Sequence, residues 1–252
     1  MTNNNKFLIN TISYFVYFFP IAFMFGNLVI NFFTLIILGL GIFTFSKNLF
    51  RFEDKKIFFF LGSFFVILFL STLFQLLTKG YYDDWFKSLL FIRYFFLLLV
   101  VKELIKSKNF NLNYFIYSCL FVSSLISIDI LIQFSFGQNI LGFKPISFPG
   151  DINYYSGIFE KELIAGGYIL MFSTIGIFGI PIMLQKVNKF YLILTFLFAV
   201  TIFISALLLS GNRMPSIMFL FFVLILSLIM NKKQFRFHFF AVGFSIMLIG
   251  LI

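Results

Sequence analysis

The sequence predicts an all-α fold, a polytopic bundle of transmembrane helices, on three observations. Hydrophobic residues make up 61% of the 252 residues, charged residues make up 11%, and the mean hydropathy is +1.05. Soluble chains hold about 25% charged residues, which form their polar surface. The apolar residues fall into runs near ~20 residues, the length that crosses the hydrocarbon of a bilayer. We therefore expect one transmembrane domain over residues 1–252, with about nine helices and the last of them truncated.

Nine apolar runs give the predicted helices in order. They occupy residues 7–25, 28–46, 57–77, 88–101, 112–134, 163–184, 190–209, 214–230 and 238–252. The first run is too long for the apolar region of a signal peptide, and no small-residue cleavage site follows it, so we expect a retained helix. Gly26 and Asn27 predict a tight turn between the first two helices. The fourth run is short, and we expect it to extend over Asp84 to Ser88 at an interface.

One long connection, residues 135–161, separates the fifth run from the sixth. It is rich in glycine and proline, which disfavour a continuous helix. These residues are Gly137, Gly142, Pro145, Pro149 and Gly150. We expect either an ordered outward-facing loop or a re-entrant segment at this position.

Basic residues alternate between rich and poor loops along the chain. Thirteen Lys and Arg fall in one set of loops and five fall in the other. Basic loops stay in the cytoplasm by the positive-inside rule. The pattern therefore predicts a bacterial-type multi-pass membrane protein with a cytoplasmic N-terminus. The basic set contains Lys6, Lys47, Arg51, Lys55, Lys56, Lys102, Lys106, Lys108, Lys186, Lys189, Lys232, Lys233 and Arg236.

The net charge of +10 has two explanations. In a soluble protein it would suggest nucleic-acid binding, whereas here the bases flank apolar runs and set the orientation in the membrane. We therefore expect no nucleic-acid partner. The single Cys119 and the single His238 cannot form a structural zinc site, and we expect no metal and no cofactor.

Five charged residues lie within or beside the predicted spans. Arg93 lies in the fourth span and Asp129 in the fifth, where a charge at the helix centre costs about 2.5–3.5 kcal/mol on insertion scales. Lys161 and Glu162 precede the sixth span, and Arg213 begins the eighth. The predicted topology brings all five to the outward side, so a site built from them would face the periplasm.

A structural role is the alternative for each of these residues. Arg93 and Asp129 would then form a buried salt bridge between helices. Lys161 and Glu162 would form a charged turn at the interface. Arg213 would be an ordinary boundary arginine that extends its guanidinium to the headgroups.

The functional hypothesis starts from Arg213. A guanidinium binds phosphate oxygens with two parallel hydrogen bonds and keeps its charge at any working pH. Gly211 allows the backbone to approach a ligand closely, and the start of a helix offers free N–H groups to an anion. Pro215 is compatible with a helix start. This combination would suit the diphosphate of a lipid carrier whose tail lies in the bilayer.

Two segments of the chain resemble a known family. Residues 207–213 read LLLSGNR and precede an apolar helix, and residues 155–168 read YSGIFEKELIAGGY. The first resembles the Ser-(Gly)-x-Arg segment of the O-antigen ligase and O-antigen polymerase superfamily. The second is similar to that superfamily's SGLFGDE segment at the outer start of a helix. The two occur in the expected order, one helical hairpin apart, and the resemblance covers roughly residues 145–230.

The resemblance implies a glycosyltransferase at the outer face of the inner membrane. The donor would be a glycan linked to undecaprenyl diphosphate, and the acceptor hydroxyl would belong to a lipid A core sugar or to another lipid-linked glycan. Arg213, with Arg93 and Lys161, would bind the diphosphate. Glu162 would act as a base or as an orienting partner, and Asp129 and Gly211 would have structural or orienting roles.

Two departures from the family pattern accompany the resemblance. Glu160 and Lys161 stand where the family has Gly-Asp, and Asn212 stands where small residues are commoner. The family also has a later external loop with a catalytic His and further Arg residues. We expect that part of the site to be missing from the sequence up to Ile252. A transporter or flippase of lipid-linked glycans is the main alternative, and a non-catalytic scaffold is a second one.

Overall fold

A computed structural model describes residues 3–46, 48–49, 55–80, 82–107, 110–148, 152–160, 162–183, 189–211 and 213–229. Within these ranges the chain forms eight α-helices and one two-stranded sheet. It divides into two compact units, Met1–Leu112 and Asn113–Ile252. The helices are α1 (Asn3–Ala22), α2 (Asn27–Phe45), α3 (Lys55–Lys79), α4 (Tyr82–Lys106), α5 (Leu112–Phe136), α6 (Ala165–Met183), α7 (Lys189–Leu209) and α8 (Arg213–Ile229).

The first eight apolar runs coincide with these eight helices to within a few residues at most ends. The exception is α4, which extends well beyond the short fourth run at both ends and includes Asp84 to Ser88, as expected. The predicted turn after α1 is also present, because a short 3-10 helix, Phe23–Phe25, leads into Gly26 with φ of 89°. The ninth run, 238–252, lies outside the described residues.

Four helical stretches in the described part are long and apolar enough to cross a membrane, fewer than the nine predicted spans. They are Lys6–Phe25, Asn27–Phe45, Phe58–Lys79 and Leu112–Phe136. The apolar stretches Ala165–Ile180, Leu194–Leu209 and Arg213–Ile225 are shorter. Helix α4 falls short because Arg93 lies near its middle and charged residues crowd both of its ends. By length and composition, this is a protein with several helices that can enter a bilayer.

The first unit contains α1 to α4, and α2 packs against both α1 and α4. The rings of Phe15 and Phe33 meet edge to face, with centroids 5.3 Å apart, between α1 and α2. Gly41 of α2 lies so close to Val100 of α4 that a Cβ added to it would be 2.3 Å from a Val100 methyl carbon. Small residues allow such close approach of helices in membranes.

Helix α3 packs mainly against α4 in the described part of the chain. Phe65 of α3 contacts Phe95 of α4, with ring centroids 5.5 Å apart. Thr72 of α3 and Ser88 of α4 make a polar contact, with their hydroxyl oxygens 2.6 Å apart. None of the apolar span of α3 is buried within the protein. The surface of α3 that does not contact α4 is therefore exposed.

The second unit contains α5 to α8. Gly176 and Gly179 of α6 face Leu120 and Ile116 of α5, where an added Cβ would come within 2.6 and 2.2 Å of a side-chain carbon. Gly176 and Gly179 thus allow α6 to pack closely on α5. Helix α6 also packs against α7 and α8, and α7 packs against α8. Buried apolar side chains of α7 and α8, such as Phe203 and Phe219, fill this interface.

The connection between α5 and α6 contains a β-hairpin, which the all-α prediction missed. Strands β1 (Ile146–Phe148) and β2 (Ile152–Tyr154) pair antiparallel, with Ile146 opposite Tyr154. A 3-10 turn, Gly157–Phe159, follows β2. Strands of three residues are too short to show a period-two pattern in the sequence. The described part of the connection therefore contains a hairpin and a 3-10 turn, and the choice between an outward-facing loop and a re-entrant segment stays a prediction.

Candidate functional site

Arg213 is the first residue of α8, and its side chain is exposed. Its guanidinium has no hydrogen bond or ion pair within the described part of the chain. A cation at a helix N-terminus is disfavoured by the helix dipole, by roughly 0.3–1 kcal/mol. The same position gathers unpaired backbone N–H groups that attract anions. Arg213 and the start of α8 together are thus suited to an anionic group.

The approach to Arg213 is shaped by Ser210 and Gly211. Ser210 is buried, and its hydroxyl donates to the carbonyl of Leu207 at 2.7 Å. Gly211 has φ of 78°, a conformation that L side chains rarely adopt. A Cβ on Gly211 would lie 2.1 Å from the ring of Tyr154. The open side of this glycine is therefore filled by the tyrosine ring, and Asn212 lies outside the described residues.

The two segments that carry the family resemblance touch each other in the second unit. The backbone N–H of Tyr155 donates to the carbonyl of Leu209 at 3.1 Å. The Tyr154 ring lies against Gly211 on the same side. Residues 155–168 and 207–213 thus meet just before Arg213, although an entire helical hairpin separates them in the sequence.

The segment after Tyr155 is held by buried polar contacts. Ser156 is fully buried, and its hydroxyl donates to the carbonyl of Glu160. Glu160 itself has φ of 52°, which is uncommon for a residue with a side chain. The N–H of Gly157 donates to Oε1 of Gln133 on α5 at 2.9 Å. These contacts fix the backbone that leads to Glu162.

Glu162 is exposed and lies three residues before α6 begins. Its N–H donates to the carbonyl of Phe159 at 3.0 Å, and its carboxylate interacts electrostatically with Tyr168. The role that the resemblance implies for Glu162, a base or an orienting partner, stays a prediction. Lys161, the predicted partner beside it, lies outside the described residues.

Asp129 is fully buried in α5 and serves as an acceptor for the following loop. Its Oδ2 accepts from Nδ2 of Asn139, and its Oδ1 accepts from the N–H of Ile140, both at 3.1 Å. Gly157 packs on the same carboxylate, because a Cβ there would be 3.0 Å from Oδ2. These contacts let Asp129 hold the loop against α5, whereas the structural role expected from the sequence was a salt bridge with Arg93.

Gln133 lies one turn beyond Asp129 and is also fully buried. Its Oε1 accepts from Gly157, and its Nε2 donates to the carbonyl of Phe143 at 3.2 Å. The Tyr155 ring packs edge to face on Phe134 of the same helix, with centroids 5.4 Å apart. One turn of α5 therefore holds both ends of the loop.

Arg93 lies on α4 in the first unit and is half-buried. Its Nη2 donates to the Tyr94 hydroxyl at 3.2 Å, and its guanidinium carbon is 4.9 Å from the centre of the Tyr94 ring. Its Nε is buried and has no hydrogen-bond partner among the described residues. Arg93 and Asp129 belong to different units, so the ion pair suggested for them remains a prediction.

An apolar cavity of about 350 Å³ lies in the second unit. Helices α5 and α7 form most of it, with one residue from α6. Ser124 and Thr195 are the polar side chains on its wall. The remaining lining residues are Tyr117, Leu120, Ile128, Ile180, Phe198, Ala199, Ile202 and Phe203. Such a lining suits a hydrocarbon chain better than a polar solute.

Comparisons with known proteins give no assignment. No protein-family model, no curated protein and no solved structure matches this chain. In the described part of the chain, no group of three or more His, Cys, Asp and Glu side chains could hold a metal ion. The resemblance to the O-antigen ligase and polymerase superfamily therefore stays a prediction, and the site must be judged on its chemistry.

Sequence reasoning missed three residues of this site: Gln133, Asn139 and Tyr154. A signal existed for Gln133, because it follows Asp129 by four residues on one helix face. Asn139 lies between Gly137 and Gly142, where asparagine commonly bonds to the backbone of a turn. No sequence pattern predicted the contact of Tyr154 with Gly211.

Proposed function

We propose that the protein is a glycosyltransferase of the bacterial inner membrane that acts on a lipid-diphosphate-linked glycan. It transfers the glycan from undecaprenyl diphosphate to a hydroxyl of an acceptor, either a lipid A core sugar or another lipid-linked glycan. The observation that carries this proposal is the hydrogen bond from Tyr155 to Leu209. It joins the two segments that resemble the ligase and polymerase superfamily, immediately before Arg213.

The proposed reaction is a displacement at the anomeric carbon of the first sugar. The acceptor oxygen forms a bond to that carbon, and the bond from the carbon to the diphosphate oxygen breaks. The leaving diphosphate takes the electron pair, and the acceptor proton passes to a base. Negative charge therefore grows on the diphosphate, so a cation fixed beside it lowers the barrier.

Each predicted site residue has a place in this reaction. Arg213 binds the diphosphate through its guanidinium, together with the free N–H groups at the start of α8. Glu162 accepts the proton from the acceptor or orients the acceptor hydroxyl. Lys161 and Arg93 stay predictions from the resemblance, with Arg93 the weaker candidate. Asp129 and Gly211 act on the shape of the site and do not touch the substrate.

The cavity between α5 and α7 supports a lipid-linked donor. Its apolar wall can take up part of an isoprenoid chain, while the diphosphate lies at the membrane boundary. Binding the tail in this way would contribute affinity without touching the reacting atoms. Such binding holds the diphosphate near the start of α8 for long enough to react.

Transport of the same lipid-linked glycan is the alternative function. Its support in the sequence was the charge buried within the spans, above all Asp129. The hydrogen bonds of Asp129 to Asn139 and Ile140 account for that charge within the second unit. Transfer is favoured because the two segments that resemble the ligase and polymerase superfamily contact each other beside Arg213.

Variants of Arg213 test this function. The full chain would be placed in nanodiscs, and binding of undecaprenyl diphosphate and undecaprenyl monophosphate would be compared by native mass spectrometry. Hydrogen bonds to a charged group contribute about 1.5–3 kcal/mol, so Arg213→Ala should weaken diphosphate binding about 10- to 100-fold. Arg213→Lys should recover part of this loss. Lys144→Ala, at another exposed base of the same unit, should leave binding unchanged.

A transfer assay separates the two functions. Proteoliposomes would receive a labelled lipid-linked glycan and an acceptor glycan, and release of undecaprenyl diphosphate would be followed. Release that disappears in Arg213→Ala supports transfer. Movement of intact donor across the bilayer without release would instead establish transport. In the binding comparison, equal affinity of Arg213→Ala and the unmodified chain would contradict the proposed role of Arg213.

A further inference from the structure

The turn that follows α5, residues 137–143, uses all of its central N–H groups within the protein. Helix α5 ends where Gly137, with φ of 74°, donates to the carbonyl of Gln133 at 3.0 Å. After Gln138, the five N–H groups of residues 139–143 are all hydrogen-bonded. Asn139 donates to the carbonyl of Phe143, and Ile140 donates to Asp129. Leu141 and Phe143 donate to Oδ1 of Asn139, and Gly142 donates to its carbonyl.

The hydrogen bonds to Asp129 place this turn well below the end of α5. Asp129 precedes Phe136, the last residue of the helix, by seven positions, which is about 10 Å along the axis. The side chains of a helix also lean toward its N-terminus. Helix α5 has 25 residues and is therefore about 37 Å long. Centred on a hydrocarbon layer of about 30 Å, it would hold Asp129 several ångströms inside that layer.

Two large apolar side chains at the tip of this turn are exposed. Ile140 is 67% exposed and Leu141 is 62% exposed. Exposed apolar side chains of α5, such as Phe134 and Phe136, lie on the helix just before the turn. Two large aliphatic side chains on a rigid turn would be unfavourable in water by about 1.5–3 kcal/mol each. Apolar surroundings would remove this cost.

We propose that residues 137–143 form a re-entrant turn inserted among the acyl chains of the leaflet in which α5 ends. Irregular backbone is tolerated at that depth where its polar groups are bonded within the protein, and the five N–H groups of residues 139–143 are bonded in this way. Ile140 and Leu141 contact phospholipid acyl chains, and the exposed Lys144 after them reaches the headgroups. The turn requires a bilayer but does not depend on the proposed glycan transfer.

Spin labels on single cysteines test this insertion. Ile140→Cys and Leu141→Cys would each be labelled in the full chain, in vesicles of equal parts phosphatidylcholine and phosphatidylglycerol. Cys119 is fully buried and should stay unlabelled. Collision rates with oxygen, which enters the hydrocarbon, and with a water-soluble nickel chelate would be compared. Phe121→Cys and Phe134→Cys, at exposed positions of α5, provide a depth scale.

The expected oxygen-to-nickel ratio at positions 140 and 141 is at least as high as that of Phe134→Cys. It should be several-fold higher than the ratio of Ser147→Cys, an exposed position on β1. Both test substitutions are on exposed side chains, and a normal depth scale along α5 would show that the fold is retained. A nickel accessibility like that of Ser147→Cys would overturn the insertion. Low accessibility to both reagents would also overturn it, because it would mean that protein covers the turn.

Discussion

At the scale of single residues, Gly211 shows how one missing side chain shapes the site. Its φ of 78° and the Tyr154 ring both exclude a Cβ. The left-handed conformation alone costs an L residue about 1–2 kcal/mol, and the collision adds to it. We therefore expect Gly211→Ala to lower the free energy of unfolding by about 2–4 kcal/mol, measured by denaturant titration in detergent micelles.

Gly167→Ala is the matched control for this prediction. Gly167 lies in α6, is exposed and has no heavy atom within 4 Å of an added Cβ. Alanine favours a helix over glycine by up to about 1 kcal/mol, so the control should be neutral or stabilising. The double variant Gly211→Ala, Tyr154→Ala should recover the part of the loss that comes from the collision. Equal stability of Gly211→Ala and the unmodified chain would contradict the packing against Tyr154.

At the scale of elements, the turn after α5 depends on Asn139 more than on any other side chain. Asn139→Ala removes the acceptor for Leu141 and Phe143 and the donor to Asp129. Each buried polar group left without a partner costs about 1–3 kcal/mol. We expect a loss of at least about 2 kcal/mol in unfolding free energy, with faster hydrogen exchange at the amides of Leu141 and Phe143.

Asn153 provides the comparison for Asn139. It is exposed on β2 and accepts a single hydrogen bond from the Ser147 hydroxyl, at 2.9 Å. Asn153→Ala should change the stability by no more than about 0.5 kcal/mol. If the two alanine variants were equally stable, the Asn139 hydrogen bonds would contribute nothing that solvent or lipid does not replace.

The elements themselves were largely predictable, because a bilayer imposes a simple length on each apolar run. Eight runs become helices at nearly the expected positions. The β-hairpin was missed although Pro149 and Gly150 stand between two short apolar runs, a turn signal. Its strands are stabilised by contact with α5 and α7 through Tyr155, and contacts of that range leave no local period in a sequence.

The site was less predictable than the helices for the same reason. Arg213 and Asp129 could be singled out, because a charge in or beside an apolar run is costly wherever it lies. Their partners could not, because the chain must reverse after α5 before Asn139 and Gly157 reach the carboxylate of Asp129. The identity of a partner depends on that reversal, and hydropathy carries no information about it.

At the scale of the whole molecule, the loop charges predict the orientation in the membrane. The N-terminus should be cytoplasmic, so the end of α3 at Lys79 should face outward and the end of α4 at Lys106 should face inward. Lys79→Cys should react with a membrane-impermeant maleimide on intact cells, and Lys106→Cys should react only after the inner membrane is opened. Both positions are exposed. Labelling in the reverse order would show that the topology is the opposite of the predicted one.

Helix α3 has a consequence for how the protein tolerates sequence change. In the described part of the chain its span packs mainly against α4, and none of that span is buried within the protein. On the exposed side of α3, any aliphatic or aromatic side chain can contact lipid at a similar free energy. Substitutions among apolar residues at these positions should therefore change the stability little. A larger residue at Gly41, Gly176 or Gly179 would instead collide with a neighbouring side chain. Saturation mutagenesis would divide the apolar positions into interchangeable ones and irreplaceable ones, although all of them look alike by hydropathy.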